Sequence, residues 1–271
     1  MKTDTMLNKS KKFILNNNLI KTNQIVYLEN INSTNLYLKN IFLKEPDSNL
    51  KLCIAETQSN GIGTNGREWI SPKIKNIYMT YKISIPKIIP LPIISSVAIS
   101  EAIEEIHPNL KIQLKWPNDI MINNKKIGGV LVELIKNKKD KNFIALIGIG
   151  INLNPIKNKK INQPVTDIKT ELLSISKKNA WNNDQINTER NKIVSNIIKN
   201  IDKYISTDVA EKTNLNMLIT KWNSRDFHFN KNIIIETKNA NEISAEHLGI
   251  MPCGSLKIRN KQIEKKLVNK E

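Results

Sequence analysis

Four short apolar segments follow one another between Lys111 and Leu153: KIQLKW (111–116), DIMI (119–122), KKIGGVLVELI (125–135) and NFIALIGIGINL (142–153). Runs this short, bounded by turn residues and rich in Ile, Val and Leu, read as strands. Asn123-Asn124 fits a two-residue hairpin turn, so the block is expected to pair antiparallel. If that turn holds, Ile122 faces Lys125, Met121 faces Lys126 and Asp119 faces Gly128. Upstream, NIYMTYKISI (76–85) alternates Ile77, Met79, Tyr81, Ile83 and Ile85 with Tyr78, Thr80, Lys82 and Ser84, the period of a half-buried strand. QIVYLE (24–29) and KLCIAE (51–56) are further strand candidates.

Helices are placed between and after these strands. Ser33-Thr34-Asn35 supplies N-cap residues for LYLKNIFLK, because a short polar side chain there accepts from an otherwise unpaired backbone N–H. Pro90 and Pro92 precede a helix over 93–106. Residues 154–164 are polar and irregular, hence a loop. Two helices are expected after it, the stronger carrying Ile186, Ile193, Ile197, Ile201 and Tyr204 at helical spacing over 186–205. Beyond Trp222 the texture changes to short alternating segments, NIIIETK, ISAEHLG and SLKIRN, which suggest a small appended β-barrel. The fold expected is α+β: a mixed, largely antiparallel sheet with helices over residues 1–223, and a small β domain over 224–271.

The length of 271 residues suits one large domain, or one with a small companion. There is no run of 18 uncharged apolar residues, and MKTDTMLNKSKK lacks the apolar stretch of a signal peptide, so a soluble, cytoplasmic protein with no membrane association is expected. Cys53 and Cys253 are too far apart in sequence for a disulfide framework, and His107, His228 and His247 form no ligand-spaced pair; no structural metal site is expected. The 42 Lys+Arg against 25 Asp+Glu give a net charge of +17, which raises the question of nucleic acid. Only Arg67, Arg190, Arg225 and Arg259 are arginines, and no basic stripe is interleaved with aromatics, so a solvated lysine-rich surface is the better reading. An acidic protein partner would still be attracted. A basic RNA-binding protein is the alternative that charge alone leaves open.

Three constellations carry chemistry. Gly61-Ile62-Gly63-Thr64-Asn65-Gly66-Arg67 follows a strand and matches G-x-G-x-x-G in form. Trp69, Ser71 and Pro72 prevent the helix a dinucleotide site requires, and Arg67-Glu68 stands where a P-loop needs Lys-Ser/Thr. What survives is a glycine loop able to approach a ligand closely and ending in one cation; a plain surface turn is the other reading. In Lys115-Trp116-Pro117-Asn118-Asp119 and Lys126-x-Gly128-Gly129, Asp119 and Lys126 are expected to be diagonal neighbours about 7–8 Å apart, with room for a small ligand between them. The plainer reading is a cross-strand ion pair. In Gly148-Ile149-Gly150-Ile151-Asn152, two positions without side chains could let a flat ligand lie on the sheet, while Asn152 reads a base edge; tight core packing explains the glycines almost as well.

Taken in order with Ser33-Thr34-Asn35 and Ala55-Glu56-Thr57-Gln58, these motifs resemble those of biotin-protein ligases, with specific matches from about Ile25 to Asn154. The resemblance implies a catalytic domain like that of class II aminoacyl-tRNA synthetases, followed by an SH3-like domain. It implies that Ser33, Thr34, Asn35, Gln58 and the Gly61, Ile62, Gly63 and Thr64 backbone hold the biotin ureido head, and that Lys126 meets the biotin carboxylate and the phosphate. Arg67, Trp69, Lys115, Asn118 and Asn152 would bind ATP. Lys126, Asp119 and Arg67 would be catalytic, with Mg²⁺ accompanying ATP. The implied activity is formation of biotinyl-5'-AMP and transfer of biotin to a lysine of the biotin carboxyl carrier domain of acetyl-CoA carboxylase. A lipoate-protein ligase shares the fold and logic; Lys-Trp-Pro-Asn-Asp and Arg67-x-Trp69 favour biotin.

Two features depart from relatives that also repress transcription. Only about two dozen residues precede the first strand, too few for a winged helix-turn-helix, so a ligase without specific DNA binding is expected; a homodimer is compatible with the family. Where the family's glycine loop carries further arginines, this chain has Ile62, Thr64 and Asn65, which implies a loosely held adenylate.

Overall fold

The computed structural model describes residues 20–137, 141–156, 161, 163–176, 181–206, 212–236, 242–260 and 264–267. Its main sheet is built from β1 (Ile25–Ile31), β2 (Leu52–Gln58), β3 (Ile77–Ile85), β4 (Gln113–Lys115), β5 (Asp119–Ile122), β6 (Lys125–Lys136) and β7 (Phe143–Ile151). The spatial order is β1-β2-β3-β7-β6-β5-β4. β1 and β2 run parallel and every other neighbouring pair is antiparallel, so the sheet is mixed and largely antiparallel.

Strand alternation divides the core between the two faces. On one face Ile54, Met79, Tyr81, Ile147 and Ile149 pack under α2 (Leu91–Ile106) and α4 (Asn183–Ser206). On the other, Leu38 and Phe42 of α1 (Thr34–Lys44) cover Cys53, Ile144 and Leu146. Along β7 this second face changes character: Ile144 and Leu146 give way to Gly148 and Gly150, so the apolar floor ends where the strand reaches the first turn of α1. A recess therefore opens beside Ser33, Thr34 and Asn35.

Asn123 and Asn124 adopt φ of 48° and 62°, the left-handed pair that a two-residue hairpin turn requires. Ile122 pairs with Lys125 and Met121 with Lys126 as expected, but Asp119 faces Gly129 and Gly128 faces Ile120. The expected Asp119–Gly128 pairing is displaced by a register shift that leaves Ile127 as the extra residue, a bulge that sequence alternation does not announce.

Among the described residues after Thr166 there are three helices rather than the two expected: α3 (Ile168–Ser176), α4, and α5 (Lys212–Asn223). In α5, Leu218 and Trp222 are buried one turn apart, with Leu215 and Ile219 packed beside them on the core. The strands β8 (Asn232–Glu236), β9 (Glu242–Ile250), β10 (Leu256–Arg259) and β11 (Glu264–Leu267) form a separate antiparallel sheet in the order β11-β10-β9-β8. It is fastened to the edge strand β4. Leu114 donates its N–H to Arg225 O (2.8 Å), Phe227 N–H donates to Leu114 O (2.9 Å), and Trp116 Nε1 donates to Gly254 O (3.0 Å).

Candidate active site

The first turn of α1 aims its polar side chains into the recess. Ser33 is the N-cap, its Oγ accepting from Leu36 N–H, and Thr34 and Asn35 are buried beside β3. Gln58, at the end of β2, receives both the Thr34 N–H (2.8 Å) and the Thr34 hydroxyl (3.1 Å) at Oε1. Its Nε2 donates to Ser71 Oγ (2.9 Å), which donates onward to Trp69 O (3.0 Å). Thr80 of β3, opposite Gly148, touches both Thr34 Oγ1 (2.8 Å) and Asn35 Oδ1 (2.5 Å). The amide of Asn35 occupies the space Gly148 leaves: a Cβ there would fall 2.3 Å from Oδ1.

The glycine loop folds back on itself. Gly63 N–H donates to Arg67 O (2.7 Å) and Trp69 N–H to Gly61 O (2.8 Å), with the reversal made by Asn65 and Gly66 at positive φ. Gly61 is obligatory because a Cβ would lie 2.3 Å from Trp69 O. The fold-back lays Trp69 across the sheet glycines, where a Cβ on Gly150 would come within 2.4 Å of the indole. The flat group lying on Gly150 is thus the protein's own tryptophan, a wall of the site. Its Nε1 is buried and has no partner among the described residues.

Lys126 stands at the other end. Its ammonium meets Asp119 Oδ1 at 2.6 Å and lies 5.4 Å from the centre of the Trp69 ring. The expected gap between Asp119 and Lys126 is closed: the two are in direct contact, because the shifted register and the length of the lysine let it reach across. Asn118 donates Nδ2 to Val130 O (2.7 Å) and holds the segment entering β5 against β6.

One cavity gathers Ser33, Thr34, Asn35 and Gln58 with Ile62, Gly63 and Thr64 on one side, and Trp69, Asn118 and Lys126 on the other. The remaining expected residues stand apart from its lining. Gly61 is buried beneath the Trp69 carbonyl, Arg67 is exposed at the end of the loop, and Lys115 pairs with Asp119 across β4 and β5. Asn152 is buried, donating Nδ2 to Thr166 O (3.1 Å). Sequence reasoning missed Thr80 of β3, Glu133 of β6 and Ser71 in the segment after Trp69, each joined to the cavity wall by hydrogen bonds. A hydroxyl on the inward face of β3 and a lone carboxylate ending the apolar run Gly128–Val132 were the available signals. Among the described residues, no three His, Cys, Asp or Glu side chains form a group suited to a metal ion.

Residues 27–152 match the biotin/lipoate A/B protein ligase family. The chain is similar to the bifunctional ligase/repressor BirA of Escherichia coli, at 28% identity over 218 residues that cover 76% of this chain and 60% of that protein. Human biotin–protein ligase is 32% identical over 139 residues, covering 48% of this chain and 19% of that one. Among solved structures, the biotin protein ligase of Aquifex aeolicus in complex with biotin and ATP superposes with a TM-score of 0.68 at 25% identity, over 91% of this chain and 96% of that one.

Proposed function

We propose that the chain joins biotin to AMP at the expense of ATP and then transfers the biotin to one lysine of a biotin carboxyl carrier domain, that of acetyl-CoA carboxylase. The supporting observation is a cavity with hydrogen-bonding hydroxyls and amides at one end and a cation and an indole at the other. The polar end suits a small neutral ring with N–H and C=O groups. The Lys126 end suits a carboxylate meeting a phosphate.

In the first step a biotin carboxylate oxygen bonds to the α-phosphorus of ATP and pyrophosphate leaves. Two anions are brought together, so catalysis depends on fixed positive charge, supplied by Lys126 and, from the loop end, Arg67. Mg²⁺ would accompany ATP and add positive charge at the phosphates. In the second step the acceptor lysine attacks the acyl carbon, AMP departs, and the attacking nitrogen loses a proton, for which Asp119 is the proposed base. Trp69 and Asn118 would border the nucleotide, with Lys115 and Asn152 acting from outside the cavity lining. The division at residues 223 and 224, and a cytoplasmic setting, belong to the same proposal. No described helix is long and apolar enough to cross a membrane.

Incubation with ATP, biotin and an isolated carrier domain should add the mass of one biotin per acceptor, and only when ATP is present. Addition of a lipoyl group in its place, or labelling without ATP, would overturn the proposal.

A further inference from the structure

An amide side chain has nearly the same shape whichever way it is turned, yet offers a donor at one end and an acceptor at the other. The end of the cavity formed by the first turn of α1 contains two, Asn35 and Gln58, and a ligand senses which way each is held. Gln58 is held by Ser71, as described. Asn35 is held by Glu133 of β6: the carboxylate only accepts, so Nδ2 donates to Glu133 Oε2 (3.0 Å) and Oδ1 is turned toward Thr80. Lys39, one turn along α1, holds the other carboxylate oxygen at 2.8 Å.

The orientation passes along the wall. Thr80 has one hydroxyl proton, directed to Asn35 Oδ1 at 2.5 Å, so it can only accept from Thr34, 2.8 Å away. The Thr34 proton goes either to Thr80 or to Gln58 Oε1 at 3.1 Å. Both hydroxyl protons are therefore turned into the protein, and Thr34 presents a lone pair to the cavity. Burial raises the Glu133 pKa, but the bonds from Lys39 and Asn35 outweigh it and hold the carboxyl below the usual carboxylate range.

We propose that Glu133, braced by Lys39, is a positioning residue that sets the hydrogen-bond polarity of this end of the cavity and makes it accept from the N–H groups of a cyclic urea. This rests on the reading of the cavity as a biotin site. It deepens that reading by naming residues that shape the pocket without touching the ligand.

The test is calorimetric titration of biotin and, separately, ATP into the wild-type chain, Glu133→Gln and Lys39→Met, with steady-state kinetics alongside. Glutamine keeps the size of Glu133 but can donate as well as accept, so Asn35 is released to turn. Glu133→Gln should weaken biotin binding by about tenfold, the effect of one misdirected hydrogen bond, and raise KM for biotin alike. ATP affinity and kcat at saturating biotin should stay at wild-type values. Lys39→Met keeps the accepting carboxylate and should weaken biotin less than Glu133→Gln. Wild-type biotin affinity in Glu133→Gln, an equal loss for biotin and ATP, or a larger effect from Lys39→Met would each overturn the inference. A wild-type chain that binds no biotin would overturn the function on which it rests.

Discussion

The indole of Trp69 sits against Gly150: a Cβ at that glycine would lie 2.4, 2.5 and 2.6 Å from three atoms of the ring. Two residues 81 positions apart thus form one surface, and the glycine is fixed by the tryptophan rather than by any turn. We expect Gly150→Ala to lift the indole off the sheet and slow adenylate formation by about 10- to 100-fold, the usual effect of misplacing a group that orients a substrate by an ångström. Single-turnover chromatography of the adenylate measures it. An unchanged rate and an unchanged KM for ATP would show that the indole is no part of the nucleotide wall.

Replacing Lys126 by Gln should reduce adenylation by about 10²–10³, the loss for one preorganised electrostatic group. The contact with Asp119 at 2.6 Å sharpens the expectation. If the pair acts as a unit, Lys126→Gln combined with Asp119→Asn should lose less than the product of the two single losses. Full activity of Lys126→Gln would move the role to Lys125 or Lys115.

Much of this architecture is legible in the sequence where the signal is local. The alternation through β3 and the short apolar run of β7 place both strands, and Asn123-Asn124 announces its own turn. Glycines at 148 and 150 mark the recess; the sequence leaves a ligand and tight packing both open as the reason for them, and the structure fills the two places with Asn35 over Gly148 and Trp69 over Gly150. What is not legible is set by long-range geometry. The bulge at Ile127 shifts Asp119 by one partner and turns a gap into an ion pair. The parallel pairing of β1 with β2 and the polar relay through Thr80, Glu133 and Ser71 join residues far apart in the chain, which no spacing along it encodes.

The acid limb of stability should depend on Glu56. Its carboxylate receives Arg190 Nη2 at 2.8 Å and the Tyr27 hydroxyl. Burial raises its pKa, but the bond and charge of Arg190 outweigh this, leaving the folded value below the ordinary 4.5. A depressed folded pKa contributes stability that is complete above the unfolded value and is lost as pH falls through the folded one. Acid unfolding followed by circular dichroism should therefore show a steep loss below about pH 4.5 that is shallower in Glu56→Gln. Identical slopes would contradict this assignment.

Ile62 and Thr64 border the cavity, and Asn65 lies in the turn beside them, so this side of the loop places no cation there. Each missing charge-assisted hydrogen bond to phosphate is worth about 1.5–3 kcal/mol if nothing replaces it. We expect biotinyl-adenylate to escape and label lysines on bystander proteins. The 155–164 loop could supply replacements. It ends where Pro164 and Thr166 bond the Lys126 backbone, while Lys157, Lys159 and Lys160 lie outside the described residues. Rapid-mixing release kinetics distinguish the cases: slow release that becomes fast in a Lys157/Lys159/Lys160 alanine variant would refute escape.

The central claim is that one cavity binds biotin beside ATP and joins them. Exchange of labelled pyrophosphate into ATP reads that step alone, without any acceptor protein. The account predicts exchange that appears only when biotin is added, saturates with biotin, and falls by about 10²–10³ in Lys126→Gln. Exchange with lipoate but not biotin, or none with either, would contradict it.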